Sequence, residues 1–277
     1  MKPLELLAPY QWQPFFSLGC LLALAVFAIG VARLRRRGEP AIGWGRGSAF
    51  VVGVALVYAV TQTRFDYFAQ FMFFIHRGQH MVLHHLAPLL IAAATPGAVM
   101  ARGLPGAVRT AFGRLTAHPA LRRAYGVLQH PVVAPVLFVG LIYLWLIPEV
   151  HVDAMLSPWL YEGMNLSMAV DGLLFWWLIL DRHGPGESPF AIGYGTRILL
   201  LVLVVPPQIV LGALIALWPG VLYDVYAVCG RAFPIAAQTD QQLGGLLTWI
   251  PTAMMSVIGV ILVLARIRRR TAEAATP

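Results

Sequence analysis

Three histidines, His76, His80 and His84, recur every four residues in an apolar stretch, so a helix carries them as one stripe along one face. Four residues rise about 6 Å, which lets His80 and His84 approach one ion together, whereas His76 and His84 stand about 12 Å apart along the axis. One ion therefore takes two of them, and His85 points about 100° away from His84. A second stripe, Tyr161, Met164, Asn165, Met168 and Asp171, repeats at spacings of three and four. Its Met168 is expected at the level of His80, and Asp171 at that of His84. A third polar segment opens with Asp240, Gln241 and Gln242 and continues through Thr248 and Trp249 to Met254 and Met255. Imidazole suits several transition metals and thioether sulfur favours Cu(I), so histidines facing methionines in an apolar setting point to copper. The expected ligands are His80 and His84, with a third from Met168, Met164 or His76. Asp171, a carboxylate among apolar residues, must be paired or must support a ligand from behind. No Glu follows the first histidine of the pair as a metalloprotease would require. The chemistry expected is holding a metal rather than turnover, so an enzyme is not expected.

Two other uses of the same histidines compete. A membrane cytochrome needs opposing axial ligands on different helices, and the other apolar runs offer no central histidine. A metal or proton transporter needs an inner exit, but the inner halves of the runs are mainly apolar and no inverted repeat is visible. His118, His130, His151 and His183 lie between runs or at their ends and are expected to be solvated.

The elements that position these side chains follow from composition. Of 277 residues, 59% are hydrophobic and 12% charged, with mean hydropathy +0.73, which excludes a soluble single domain. Seven apolar runs, about residues 15–34, 48–66, 71–95, 132–148, 162–181, 197–218 and 243–265, are long enough for a helix to cross a hydrocarbon core about 30 Å thick. Open strands are excluded because unpaired backbone groups in lipid are too costly. The fold class expected is an all-α, polytopic membrane bundle of about seven helices forming a single transmembrane domain, 1–277. The first run lacks the pattern of a cleaved leader and is read as retained.

The net charge of +8 does not mark a nucleic-acid binder, because the arginines gather in alternate loops: Arg35, Arg36 and Arg37, then Arg102 to Arg123, and finally Arg266 to Arg270. That asymmetry sets the N-terminus outside and the C-terminus in the cytoplasm. Residues 96–131 carry Leu104, Val108, Phe112 and Leu115 at helical spacing among arginines and are expected to lie on the cytoplasmic lipid surface. Two cysteines give no disulfide framework. Cys20 is a packing residue, and Cys229, in an outer loop, is read as inert rather than as a soft-metal ligand.

The run Gln79-His80-Met81-Val82-Leu83-His84-His85-Leu86-Ala87-Pro88-Leu89-Leu90 resembles the H-M-x-x-H…A-P-L-L signature of the CtaG family of cytochrome c oxidase assembly factors. Asp171-Gly172-Leu173-Leu174-Phe175-Trp176-Trp177 and the stretch from Asp240-Gln241-Gln242 to Thr248-Trp249-Ile250-Pro251 are similar to the same family in the same order. The likeness runs over roughly residues 50 to 260. It implies a multi-pass protein of the bacterial cytoplasmic membrane, needed to mature haem–copper oxidases. Copper delivery to the CuB centre is the activity implied, with an oxidase subunit and a periplasmic copper donor as partners. His80 and His84 match the family's histidine pair, and Asp240, Gln241 and Trp249 its last motif. The chain departs from the family at Leu146, where a W-H-x-P pattern is usual, and at Asn165, where a histidine is usual. Met164, Met168 or His76 then stand as substitutes. The outer loop, residues 219–242, is the expected partner contact.

Overall fold

The computed structural model describes residues 8–228 and 230–275, so Cys229 lies outside the described residues. The protein is 79% helical, and among the described residues the only β pairing is an isolated bridge between Pro9 and Thr63. Helix α1 (Pro14–Arg36) starts on a proline and ends in arginines. Helix α2 (Trp44–Gln62) stops at Thr63, whose hydroxyl accepts the Phe65 N–H and so starts α3 (Arg64–Phe71). Extended backbone at Met72 then separates α3 from α4 (Phe73–Met81). Helix α4 runs through a π-turn (Val82–Leu86) into α5 (Ala87–Ala94), which Thr95 ends with a positive φ.

From there the chain bends by 76° into α6 (Gly97–Gly103). Helices α7 (Gly106–Ala117) and α8 (Pro119–Leu128) bury no residue. The chain turns by 68° into α9 (Val133–Trp145) and continues through α10 (Pro148–Leu156) to α11 (Pro158–Ile179). Helices α12 (Tyr194–Leu203) and α13 (Val205–Leu217) form one rod, α14 (Val225–Val228) is a single short turn, and α15 (Ala237–Ala275) is the last helix described.

Each of the seven predicted runs is mainly helical, though the 48–66, 71–95 and 197–218 runs are divided among more than one helix, and the criterion of length and apolarity admits fewer spans. Four spans pass alone (α1, α2, α12 with α13, and α15), and six pass if each bent pair counts as one. The 13 residues of α9 rise only about 20 Å, short of a hydrocarbon core, and α11 carries Glu162, Asn165 and Asp171. The chain is thus a multi-pass membrane protein with four to six candidate spans. Large apolar side chains face outward along these helices, among them Leu21 and Leu22 of α1 and Val210 and Leu214 of α13, as a lipid-facing surface requires. Cys20 packs with Phe27, Phe50 and Val54, as expected.

Glycine sets how close the helices come. Helices α13 and α15 cross where a β-carbon on Gly212 would stand 2.7 Å from the Gly245 carbonyl oxygen, and one on Gly245 equally 2.7 Å from that of Gly212. Small residues at such crossings let backbones touch where lipid supplies no hydrophobic drive. Helix α11 reaches the π-turn in the same way, because a β-carbon on Gly172 would lie 2.3 Å from the His84 carbonyl oxygen.

Gly172→Ala must therefore push α11 off the π-turn, at a cost of about 1–3 kcal/mol. Thermal unfolding in detergent reads this as a lower midpoint, whereas Gly140→Ala, in the interior of α9 with open space around it, does not lower the midpoint, because alanine favours a helix over glycine.

Candidate metal centre

Helix α4 starts inside the bundle without a cap from its own segment. Its first amides find one in trans: the Phe73 N–H donates to Asp240 Oδ2 at 3.1 Å and the Phe74 N–H to Oδ1 at 2.8 Å. The carboxylate, wholly buried, is also ion-paired with Arg231. A carboxylate at a helix N-terminus satisfies free donors and meets the positive end of the helix dipole. The neighbouring Gln241 clamps the preceding loop, donating to the Ile215 and Gly220 carbonyls at 3.1 and 3.0 Å and accepting the Leu222 N–H at 2.6 Å. Trp249 lies against Gly212 with its buried indole N–H unpartnered. Asp240 thus fixes the start of α4, while Gln241 and Trp249 hold α15 against α13 and the loop that follows it, and none of the three meets a histidine through a hydrogen bond among the described residues.

The fixed α4 presents His76 and His80 inward, with ring centres 4.3 Å apart. His151, on α10, comes to 5.1 Å from His76. All three are buried, so the expectation that His151 is solvated is wrong. It lies in the first turn after Pro148, and α10 folds back over α4 rather than projecting into solvent. Donor counting fixes the tautomers. The Trp145 carbonyl accepts from His151 Nδ1 at 3.0 Å, so His151 Nε2 carries the lone pair and accepts from the Tyr226 hydroxyl at 2.9 Å. At His80, Arg77 has only protons to give. It donates to Nδ1 at 3.1 Å, so Nε2 holds the ring proton and donates to Asn165 Oδ1 at 3.1 Å. His76 has no hydrogen-bond partner at either ring nitrogen.

The π-turn changes the rest of the stripe. An i to i+5 turn widens the helix locally, and His85, instead of pointing away, sits 4.8 Å from His84 with both rings against Phe138. His84 Nε2 meets Asp171 Oδ2 at 3.0 Å, as the matched depths predict, and its Nδ1 is left without a partner. Both ring nitrogens of the buried His85 are also unpartnered. The depth match misses at His80, which meets Asn165, one turn before Met168 on α11. Met164 packs with Ala154 and Tyr161, and Met168 with Phe73 and Ile142.

Asp66, which the sequence presents only as the end of an apolar run, is a wholly buried hub. Its Oδ1 accepts from Gln79 at 2.7 Å and Tyr161 at 2.8 Å, and its Oδ2 from Gln70 at 2.9 Å and Gln13 at 3.2 Å. Tyr161 in turn lies 6.0 Å from His76. The buried guanidinium of Arg77 holds the opposite wall, its Nε donating to Thr248 at 3.1 Å. Asp66, Arg77 and His151 are the functional candidates that spacing alone does not find.

Among the described residues, no three His, Cys, Asp or Glu side chains converge on one point as a metal site. The arrangement offers imidazole lone pairs in pairs: His76 with His151 in a chamber beneath α10, and His84 with His85 at the π-turn. Two neutral nitrogens suffice for Cu(I), a d10 ion that accepts linear coordination. A monocation is also tolerated better than a dication beside the buried guanidinium of Arg77.

Comparison with known proteins adds an independent finding. The model of the cytochrome c oxidase caa3 assembly factor family matches residues 25–270. Uncharacterized proteins of Mycobacterium bovis and Mycobacterium tuberculosis are each 30% identical over 270 residues, covering 92% of this chain and 39% of the relative. One from Mycobacterium leprae is 25% identical over 256 residues, covering 88% of this chain and 37% of its own length. The chain therefore spans about two fifths of the length of the curated relatives it matches. No solved structure matches it.

Loss of the trans cap gives a direct readout of how α4 is held. Asp240→Ala leaves two α4 amides and Arg231 without their carboxylate, and is expected to cost at least about 2 kcal/mol. Asp240→Asn, which keeps one acceptor, costs less. Thermal unfolding of the two variants beside wild type checks that order.

Proposed function

We propose that this chain, which belongs to the cytochrome c oxidase caa3 assembly factor family, receives Cu(I) from the outer side of the membrane and passes it to a haem–copper oxidase subunit. Family membership supports the assembly role. The observation that carries the copper reading is His76: a wholly buried imidazole with neither nitrogen hydrogen-bonded, flanked by His80 and His151. Buried polar atoms are almost always paired, and an exception marks an ion, a water or a reactive group.

His76 and His151 are the ligands this geometry favours. The Trp145 carbonyl orients His151 through Nδ1, as a carbonyl commonly does for a metal-bound imidazole. Its Nε2 becomes available when the Tyr226 hydroxyl turns away. His80 is less suited as the first ligand, because a cation on Nδ1 would confront Arg77 and one on Nε2 would displace Asn165. His84, held from behind by Asp171 with Nδ1 free, is the next imidazole inward. His151 supplies the side chain that the family's pattern places at the position of Leu146. No turnover chemistry is involved; the protein acts by binding and release.

In this reading seven helices cross the membrane of a bacterium, with the N-terminus outside and the arginine-rich ends in the cytoplasm. The chamber then faces the periplasm beneath α10 and the 219–236 segment before α15, where a copper donor and the oxidase would dock. Release requires α10 to lift, which separates His151 from His76.

Detergent-purified protein loaded with Cu(I) under reducing conditions and washed is expected to retain one ion per chain. His76→Ala/His151→Ala is expected to lose it, while His84→Ala keeps it. Equal, negligible copper in wild type and the double variant would refute the reading. A second measurement uses the departure at Asn165. Asn165→His adds an imidazole beside His80 and is expected to tighten Cu(I) binding by about tenfold or more, equivalent to about 1.4 kcal/mol.

A further inference from the structure

The arginine-rich end of the bundle holds a cavity of about 320 Å³ between the start of α2, the end of α5, the end of α11 and the last turns of α15. Five arginines line it: Arg46, Arg182, Arg266, Arg269 and Arg270, against the single carboxylate Glu273. Three are already engaged. Arg46 donates to Thr95 Oγ1 at 3.3 Å, and Arg266 donates to the Leu180 and Asp181 carbonyls at 2.7 and 2.6 Å. Arg270 is paired with Glu187, whose carboxyl those hydrogen bonds draw down to about 2. The guanidinium groups of Arg182 and Arg269 meet no carboxylate, carbonyl or hydroxyl among the described residues. Even with Glu273 in the lining and Glu187 on Arg270, the cavity keeps an excess of positive charge, and like charges repel one another unless an anion sits between them.

We propose that this cavity binds the phosphate headgroup of an anionic phospholipid, with the acyl chains running along the outside of α15. The source of the phosphate follows from the walls. Leu180, Leu262 and Ala265 form one side, and the same face of α15 continues into lipid with Ile258 and Ile261, both exposed. A soluble anion gains nothing from an apolar wall, whereas a lipid uses it for its chains. A second cavity of about 220 Å³ adjoins the first through Thr95, Leu180 and Arg182 and is lined by Trp177. A half-exposed indole at this level suits the headgroup region, where its apolar ring and N–H are both accommodated. Basic pockets between helix ends are known to hold anionic headgroups.

The lipid would tie α15, α11 and the α5 end together at the face opposite the histidine chamber. The proposal stands apart from the copper reading and does not depend on it.

The test is lipid retention by the full chain in detergent, read by native mass spectrometry after exchange with phosphatidylglycerol, phosphatidylcholine or inorganic phosphate. One phosphatidylglycerol per chain is expected to be held at least about tenfold more tightly than phosphatidylcholine. Arg182→Gln/Arg269→Gln, at two exposed residues whose guanidinium groups have no partner among the described residues, is expected to remove at least about tenfold of that affinity. Arg109→Gln/Arg114→Gln, which removes the same charge from α7, should not change it. Equal retention of the two lipids, undiminished binding in Arg182→Gln/Arg269→Gln, or equal loss in both double variants would overturn the proposal. Displacement of the lipid by millimolar inorganic phosphate would overturn it too, by showing a pocket for a soluble anion.

Discussion

A helix that begins inside a low-dielectric bundle has amides that water cannot reach, and the histidine geometry depends on how they are satisfied. Each unpaired amide costs several kcal/mol in such a setting. Here one carboxylate on a distant helix, Asp240, takes the N–H groups of both Phe73 and Phe74. It sets where α4 begins and hence the height and rotation of His76 and His80. The close contact of α15 with α13 at Gly212 and Gly245 keeps Asp240 at the right depth. Thr248, two turns further along α15, accepts from Arg77. The last motif of the chain thus positions the histidines without joining them.

The π-turn is the second constraint. Regular α-helical spacing puts His76, His80 and His84 on one stripe, but the wide turn at Val82–Leu86 divides them. The group before the turn, His76 and His80, faces Asn165 and His151, and the group within it, His84 and His85, faces Asp171 and Phe138. Such insertions often occur at functional sites because they redirect side chains without ending the helix. Gly172 then allows α11 to lie against the turn, bringing Asp171 to His84. Two pairs of imidazoles at different depths replace the single pair that spacing suggests.

Much of this was legible in the sequence. Apolar runs bounded by arginines and prolines gave the helices, because a hydrocarbon core imposes a length and leaves few alternatives for the backbone. The His84 to Asp171 contact followed from two stripes entering from the same side. Other features were not legible, for identifiable reasons. His151 looks like a loop residue because only the return of α10 over α4, a tertiary event, buries it. Asp66 looks like the end of a run because its four partners come from four separate segments. The π-turn leaves no compositional mark, so His85 could not be turned inward from spacing alone. The short α9 and the polar α11 depart from a simple span because their positions are set by packing on neighbours as well as by lipid.

The central proposal is that the imidazoles of the His76–His151 chamber, rather than thioethers, hold copper. X-ray absorption at the copper edge of Cu(I)-loaded protein tests it most directly, because scattering separates nitrogen from sulfur neighbours. The account predicts a first shell of two nitrogens with the outer-shell pattern of imidazole rings, lost in His76→Ala. A sulfur shell, or a spectrum unchanged in His76→Ala, would contradict it and move the metal toward Met164 and Met168.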